Sequence, residues 1–240
     1  MVRLAATPRS PSAEASHARN CRDVCTLAYG EDMTNPVERI EEEVDASLTR
    51  EIPWSVGSWS HFPAGVAERG GELLVTAVEG SDAWLHTEYG FVHDSEHALL
   101  APFAVGEAVE VSFRAELHEQ FDQAGVFVSI DDDSWVKAGV EFADGTVQLG
   151  AVVTDRKSDW SVSPVPDWAS RVVTVRVNRS PDALTIRARV DDEPWRLVRL
   201  APFDGDAAAQ AGPYLCAPTR AGLTVPFLSW KVGPADTALH

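Results

Sequence analysis

The stretch that decides the fold is "DQAGVFVSIDDDSWVKAGVEFADGTVQLGAVVT", which runs from Asp122 to Thr154. Its apolar and polar residues alternate with a period of two, as is typical of β-strands. Turn residues interrupt the alternation at Asp131–Asp133 and at the "DG" of Asp144–Gly145. The stretch therefore predicts three antiparallel strands joined by two tight hairpins. Each strand also contains an interior glycine, which costs about 0.5–1 kcal/mol relative to alanine.

Hydrophobic matching predicts the register of both hairpins. With a two-residue turn at "DG" and a three-residue turn at the aspartates, one face pairs apolar residues only and is therefore the core face. The two registers agree with each other. On the opposite face they place Gly125, Gly139 and Gly150 side by side across three strands that are about 4.8 Å apart.

This row of glycines predicts a trench with a floor of bare backbone. Its walls are Gln123, Glu141 and Gln148 on one side and Phe127, Lys137 and Val152 on the other. Lys137 and Glu141 are about 13 Å apart between Cα atoms, so they would flank a ligand rather than pair. Amide, carboxylate, ammonium and aromatic groups around an open floor suit a sugar or a similar polyhydroxy ligand. The alternative is that the glycines accommodate a loop packed across the sheet, or curvature of the sheet.

The same period of two continues from "IPWSVGSW" to "FLSWKVG" and predicts a single all-β domain over residues 51–234. Residues 33–50 are predicted to form one short helix, because apolar residues recur there every fourth position behind a capping motif. Residues 1–32 are predicted to be a disordered or non-native extension, with Met33 as an alternative start. Residues 235–240 are predicted to be a tail.

The composition limits which kinds of binding partner and which cellular compartment are expected. A net charge of −17 argues against nucleic acid and anionic membranes. No apolar run approaches the about 20 residues of a membrane span. The three cysteines, Cys21, Cys25 and Cys216, form no disulfide framework, and their odd number suits a reducing cytoplasm. We therefore predict a cytoplasmic protein with no cofactor and no metal, a site at His93 and His97 being the weaker alternative.

Five stretches resemble one family of proteins. They are "SDAWLHTEYGF", "FDQAG", "SWVKAGVEF", "AVVTDRKSDWS" and "DDEPWRLVRL". In this order, over roughly residues 52–232, they resemble the regulation-of-enolase family of concanavalin A-like lectin/glucanase-fold proteins. The resemblance implies a jelly-roll sandwich of two antiparallel sheets, one of them concave and the usual place for a glycan. It also implies an alternative function, a protein-interaction module that regulates a metabolic enzyme such as enolase.

The trench and the motif positions of the resemblance together define the candidate ligand-binding residues, to which Arg176 is added from the outer face of "VVTVRVN". They are Thr87, Tyr89, Gln123, Gly125, Lys137, Gly139, Glu141, Gln148, Gly150, Thr154, Asp159, Trp160 and Arg176. Trp160 is expected in a loop at the edge of the trench, where its indole would stack on a sugar ring.

Catalysis is the less favoured prediction. Glycosidases need two carboxyl groups about 5–9.5 Å apart. Glucanases of this fold carry them in an ExDxxE pattern, which this sequence lacks. Glu141 has no acidic neighbour two residues away, so Asp159 is the best candidate for a second acid. A lyase or isomerase would use Lys137 or Tyr89 as its base. Binding is therefore the main prediction, and an unrecognised glycoside hydrolase or lyase is an alternative. Cys216 stands in "CAP", where the family tends to have serine, and is not expected to be a nucleophile.

Overall fold

The structure, a computed structural model, describes residues 48–237. Within this range the chain forms seventeen strands, with 3₁₀ turns at Trp54–Val56 and Pro166–Trp168. The strands are β1 (Arg50–Glu51), β2 (Ser58–Trp59), β3 (Gly65–Arg69), β4 (Glu72–Thr76), β5 (Ala83–Leu85), β6 (Val92–Asp94), β7 (His97–Pro102), β8 (Glu107–Arg114), β9 (Gln123–Asp131), β10 (Ser134–Ala143), β11 (Thr146–Asp155), β12 (Ser158–Pro164), β13 (Val172–Arg179), β14 (Ala183–Val190), β15 (Arg196–Pro202), β16 (Gln210–Cys216) and β17 (Thr224–Pro234). The predicted extension and residues 33–47 of the predicted helix lie outside the described residues, whereas Arg50, the last residue of that prediction, belongs to β1. No helix within 48–237 is long and apolar enough to cross a membrane.

Two large antiparallel sheets form the predicted sandwich. The first sheet has the order β15-β14-β13-β8-β17-β4-β3, with β1 beside β17, and the second has the order β12-β11-β10-β9-β16-β7-β2. The core lies between them, where valines such as Val111 and Val175 of the first sheet and Val126 of the second are fully buried. Each fully buried side chain of this size contributes about 1.5–3 kcal/mol through the hydrophobic effect.

The predicted register of the two hairpins is confirmed. Gly139 of β10 lies opposite Gly125 of β9 and opposite Gly150 of β11. At "DG" the two turn residues Asp144 and Gly145 have φ values of 53° and 77°, the conformation that favours a two-residue hairpin turn. The other turn differs from the prediction in its detail. Asp131 pairs with Ser134 and leaves a two-residue turn, and a bulge after Ser134 restores the register.

A third layer covers part of the outer face of the second sheet, which was predicted to be open. We call residues 82–95, which contain β5 and β6, the cover hairpin. Its Ala83 and Leu85 form a second apolar cluster with Phe127, Trp135 and Val152 of the sheet. The predicted wall residues Phe127 and Val152 are therefore buried beneath the hairpin.

The row of glycines is explained by the packing of neighbouring strands. A Cβ atom on Gly139 would lie 2.1 Å from the carbonyl oxygen of Ala124, and one on Gly150 would lie 2.1 Å from the carbonyl oxygen of Ser161. Gly125 is equally constrained, because its Cβ atom would meet backbone of β10 at 2.0 Å. Real Cβ atoms do not approach backbone this closely, so only glycine fits. The prediction of a bare floor for a ligand is corrected accordingly.

Only a small space remains above these glycines in the described part of the chain. It has a volume of about 10 Å³, close to that of one water molecule. Trp160, Val162 and Tyr214 line it together with Gly139 and Gly150. The room for a ligand lies beside the row of glycines.

Candidate functional site

A cavity of about 390 Å³ opens between the cover hairpin and the second sheet. Small-molecule sites have volumes of about 300–1,000 Å³, so the cavity is of ligand size. We call it the hairpin cavity. It is lined by Gly80, Asp82, Trp84, Tyr89, Phe91, His93, Phe121, Gln123, Lys137, Glu141, Val152, Trp160 and Pro218.

Polar side chains of β9 and β10 form the floor of the hairpin cavity. The strand register places Gln123 directly opposite Glu141. Nζ of Lys137 donates to Oδ1 of Asp82 at 2.8 Å, and Nε2 of Gln123 donates to the same oxygen at 3.3 Å. Lys137 and Gln123 are each only 3% exposed. Asp82 therefore connects the base of the cover hairpin to two buried side chains of the sheet.

The protonation states at the floor follow from burial and from these charges. Burial alone would lower the pKa of Lys137, but the Asp82 carboxylate, through its charge and its hydrogen bond, raises this pKa above its usual value. Burial raises the pKa of Glu141 to about 7; Lys137 opposes the shift, and Asp82 and Asp144 add to it. Lys137 is therefore charged, whereas Glu141 is about half protonated at neutral pH.

Two acceptor atoms of the floor have no partner. Oε1 of Gln123 and Oε1 of Glu141 are both buried, and neither accepts a hydrogen bond from any described residue. An unpaired buried acceptor costs about 1–3 kcal/mol, so most buried polar groups in proteins are paired. Both residues line the hairpin cavity. The floor thus contains two acceptors without partners, next to a buried ammonium group.

Aromatic side chains form the walls. On the cover hairpin, the rings of Tyr89 and Phe91 stack with centroids 5.5 Å apart, and Trp84 lies 6.4 Å from Tyr89. Tyr89 and Phe91 are 64% and 52% exposed, which is unusual for large rings that lie together. Trp160 of β12 also lines the cavity. These flat apolar surfaces suit a ring or a carbon skeleton.

Phe121 reaches the cavity from a strained backbone position. Its φ of +66° lies in the left-handed region, which costs a bulky residue about 1–2 kcal/mol. Its amide donates to the carbonyl oxygen of Phe142 at 2.7 Å. The next residue, Asp122, is fully buried and accepts bonds from the amide of His118 and from Arg220. These bonds hold the strained residue at the rim, as is common at binding sites.

The structure brings five of the predicted residues together at the hairpin cavity. They are Tyr89, Gln123, Lys137, Glu141 and Trp160. Trp160 lies within β12, paired with Val152 of β11, and not in the loop that was expected. The alternation continues through this strand, so the position of Trp160 is that of an ordinary outward-facing strand residue.

Other predicted residues hold the fold together. Nε2 of Gln148 donates to the carbonyl oxygen of Ala143 at 3.0 Å. Oγ1 of Thr154 and Oγ of Ser158 share a hydrogen bond of 2.9 Å. Thr87 lies in the turn of the cover hairpin, where its carbonyl oxygen accepts a bond from Trp84. None of these three predicted residues lines the hairpin cavity.

The expectation that Asp159 supplies a second acid is corrected. Oδ2 of Asp159 lies 2.7 Å from a guanidinium nitrogen of Arg199, so the carboxylate links β12 of the second sheet to β15 of the first. The carboxylate that reaches the floor is Asp82, which sequence reasoning missed. The sequence pointed to Asp82 only through its place in "SDAWLHTEYGF", one of the stretches that resemble the family. Periodicity does not predict its contact with Lys137, because the two residues are 55 positions apart.

Arg176 is likewise removed from the site. It lies on β13, in the first sheet, with Val175 and Val177 pointing into the core as predicted. Its guanidinium donates to Asp236 at 2.8 Å and to the carbonyl oxygen of Pro234 at 3.0 Å. Arg176 therefore fastens the end of β17 and the start of the predicted tail, at Pro234 and Asp236, to β13.

The weaker metal prediction at His93 and His97 is corrected by the hydrogen bonds of His97. Nε2 of His97 accepts from the amide of Val78 at 3.0 Å, and Nδ1 donates to the carbonyl oxygen of His61 at 3.0 Å. Both ring nitrogens are thus used by the backbone. Burial lowers the pKa of His97, in keeping with this neutral, doubly bonded ring.

A second group of residues that could bind a metal lies at the base of the cover hairpin. Ligand atoms of His61, Asp94 and Glu96 lie within 4.8 Å of one another. Nδ1 of His61 is 3.1 Å from the carbonyl oxygen of Glu96, and an oxygen of this kind can only accept. With that nitrogen donating to the backbone, the group fastens the base of the hairpin.

The fold and the hairpin cavity define a two-sheet β-sandwich protein with a ligand-sized cavity under a cover hairpin. Residues 59–235 match the family described as "Protein of unknown function (DUF1349)". The chain belongs to this family.

Two of the matches come from Saccharomyces cerevisiae. "Regulation of enolase protein 1" is 37% identical over 187 residues, which cover 78% of this chain and 94% of that protein. A crystal structure described as that of a functionally unknown protein aligns with a TM-score of 0.73 and 35% identity, over 77% of this chain and all of that one. A xylan β-1,4-xylosidase from Bacillus halodurans aligns with a TM-score of 0.58 over 88% of this chain and 41% of that one. At 14% identity it shares the fold alone.

Proposed function

We propose that the hairpin cavity binds a small polyhydroxy ligand of the carbohydrate class. The observation that carries this proposal is the pair of unused acceptors, Oε1 of Gln123 and Oε1 of Glu141, beside the buried ammonium of Lys137. Hydroxyl groups both donate and accept, so neighbouring hydroxyls would donate to the two oxygens and accept from Lys137. Pairing these groups removes the cost of leaving them unsatisfied.

The walls support the same class of ligand. Sugar rings have an apolar face, which packs against flat aromatic side chains. Phe91 and Trp160 supply such surfaces at the cavity while their rings remain 52% and 40% exposed. The volume of about 390 Å³ suits a compact ligand such as a monosaccharide or a disaccharide.

A panel of sugars tests the proposal by thermal shift, followed by calorimetry of any sugar that raises the melting temperature. Phe91→Ala should weaken the affinity about tenfold, because it removes one aromatic wall. Phe62→Ala is the matched control, since Phe62 is 81% exposed and does not line the cavity. If no sugar shifts the melting temperature, or if the two variants affect binding equally, the proposal is wrong.

A second candidate function is regulation of a metabolic enzyme such as enolase. It is favoured by the 37% identity with the yeast protein named "Regulation of enolase protein 1". The two functions are compatible, since a regulator can respond to a small ligand. Purified enolase assayed with and without this protein, at several sugar concentrations, tests the candidate. An unchanged enolase rate together with separate elution of the two proteins in gel filtration would exclude it.

A further inference from the structure

We propose that the ligand of the hairpin cavity carries a primary ammonium group, which donates hydrogen bonds to Oε1 of Glu141 and to Oε1 of Gln123. This inference rests on the proposed function and adds a chemical group and a charge to the ligand. It follows from three independent features of the cavity: the number of donors that its floor requires, the charges around Glu141, and the aromatic walls.

The number of donors favours an ammonium over a hydroxyl. Gln123 and Glu141 lie directly opposite each other on β9 and β10, and each presents one buried acceptor without a partner among residues 48–237. A single hydroxyl has one hydrogen and can satisfy only one of them. An ammonium nitrogen has three hydrogens, so a single nitrogen carries enough donors for both acceptors and one more.

The charges around Glu141 also favour a cation. The charged groups that act on it are Lys137 of the same strand, Asp82 of the cover hairpin and Asp144 of the turn after β10. Lys137 and Asp82 form an ion pair at 2.8 Å and largely cancel each other. When Glu141 ionises, its charge and that of Asp144 are therefore left in excess among these groups. A cationic ligand compensates this excess, whereas an anionic ligand increases it.

No group of the neighbouring strand β16 reverses this balance. Tyr214 and Cys216 face the same region and are both buried. Burial raises the pKa of the Tyr214 hydroxyl and of the Cys216 thiol well above their usual values, so both are neutral. They contribute no charge that would repel or replace an ammonium group.

The walls add a third reason. The side chains of Trp84, Tyr89 and Phe91 lie on the cover hairpin and line the cavity together with Trp160. Aromatic faces attract cations through the ring quadrupole, and tryptophan does so most strongly. A carbon skeleton that bears an ammonium group therefore meets attractive surfaces on the walls as well as on the floor.

The proposal links binding to proton release. In the free protein Glu141 has a pKa of about 7, raised chiefly by burial. An ammonium partner favours the ionised carboxylate, so binding lowers this pKa and expels the proton. The number of protons released per ligand should be about one half at pH 7 and close to one at pH 6.

Three matched hexoses test the inference with the full chain: D-glucosamine, D-glucose and D-glucuronate. Calorimetry at pH 6 in two buffers of different ionisation enthalpy measures both affinity and proton release. We expect D-glucosamine to bind at least tenfold more tightly than D-glucose, with D-glucuronate weakest and with close to one proton released. Glu141→Gln should abolish the proton release and most of the preference for the amine, whereas the exposed control Glu68→Gln should change neither.

The outcomes separate this inference from the proposed function. If D-glucose binds as tightly as D-glucosamine, the inference of an ammonium group is wrong, whereas the proposal of a polyhydroxy ligand is supported. If the hexoses do not bind but 2-phenylethylamine binds with proton release, the inference of an ammonium group is supported and the proposal of a carbohydrate ligand is wrong. If neither the hexoses nor 2-phenylethylamine binds, both proposals fail. Circular dichroism of Glu141→Gln verifies that a lost effect does not come from unfolding.

Discussion

Nζ of Lys137 lies 2.8 Å from Oδ1 of Asp82, and this contact joins β10 of the second sheet to the base of the cover hairpin. The two side chains are 4% and 19% exposed, so the pair is largely removed from solvent. A buried ammonium without its partner is costly, whereas a complete buried pair contributes little net stability. The position of the hairpin, and with it the hairpin cavity, therefore depends on both residues being present.

Asp82→Asn is expected to lower the free energy of unfolding by about 3–5 kcal/mol, because it leaves the charge of Lys137 buried and uncompensated. The asparagine keeps Oδ1 as an acceptor for Nε2 of Gln123, so the loss comes from the missing negative charge. Urea denaturation followed by tryptophan fluorescence measures the change.

The exposed pair of Asp155 and Arg156 provides the matched control. Both side chains are 79% exposed, so Asp155→Asn should leave the free energy of unfolding unchanged. The double variant Asp82→Leu with Lys137→Met removes both charges and should recover most of the loss. If Asp82→Asn cost no more than Asp155→Asn, the ion pair would not have the role that its burial indicates.

Glu141 makes the stability of the protein depend on pH. Burial raises its pKa from 4.5 to about 7 in the folded protein. Its stabilising contribution is therefore complete below pH 4.5 and is lost as the pH rises through 7, in total about 3 kcal/mol. Glu141→Gln, which stays neutral, should lack this loss, so the difference between variant and wild type should grow in favour of the variant towards pH 8. Urea midpoints at pH 4.5, 6 and 8 measure it.

Glu68→Gln is the control for this pH dependence, because Glu68 is an exposed residue of the edge strand β3. It should lose stability with pH in parallel with the wild type. A Glu141→Gln variant that also remained parallel would show that the carboxyl group is as well solvated in the folded chain as in the unfolded one.

Local periodicity was sufficient to predict β9, β10 and β11 and the register in which they pair. The turn at Asp144–Gly145 and the apolar pairs on one face leave a single register, because a slip by one residue would turn every core side chain outward. Gly139 therefore had to lie opposite Gly125 and Gly150, as the structure shows. Residues that this register places on the outer face, such as Gln123, Lys137 and Glu141, line the cavity.

What covers that outer face could not be predicted in the same way. β5 has the same alternation as any short strand, and a period of two does not tell on which sheet Ala83 and Leu85 pack. The contact between Asp82 and Lys137 depends on that packing, because the residues are 55 positions apart. The row of glycines could be explained by a ligand on the outer face or by packing within the sheet. Only the distances from a Cβ atom built on each glycine to the neighbouring backbone decide between the two explanations.

His97 gives a pH dependence of the opposite sign to that of Glu141. Its buried ring is held neutral between the amide of Val78 and the carbonyl oxygen of His61, and burial lowers its pKa below the usual 6.5. Its contribution to stability is complete above pH 6.5 and is lost as the pH falls through the folded pKa. His97→Gln should be less stable than wild type at pH 8, because one side chain amide cannot replace both bonds, and the gap should narrow towards pH 5. A gap that stayed constant between these pH values would show that His97 does not titrate differently in the folded chain.

Gly139→Ala tests whether strand packing, rather than a ligand, requires the row of glycines. The new Cβ atom would lie 2.1 Å from the carbonyl oxygen of Ala124, so β9 and β10 would have to separate. We expect the free energy of unfolding to fall by at least about 2 kcal/mol in the absence of any ligand. Gly65→Ala is the matched control on β3, where the nearest atom would be Oγ1 of Thr76 at 3.5 Å, an ordinary contact. It should be neutral or stabilising by up to about 1 kcal/mol. If both variants were equally stable, β9 and β10 would have room for a side chain, and the glycines would then have to be explained by what the outer face binds.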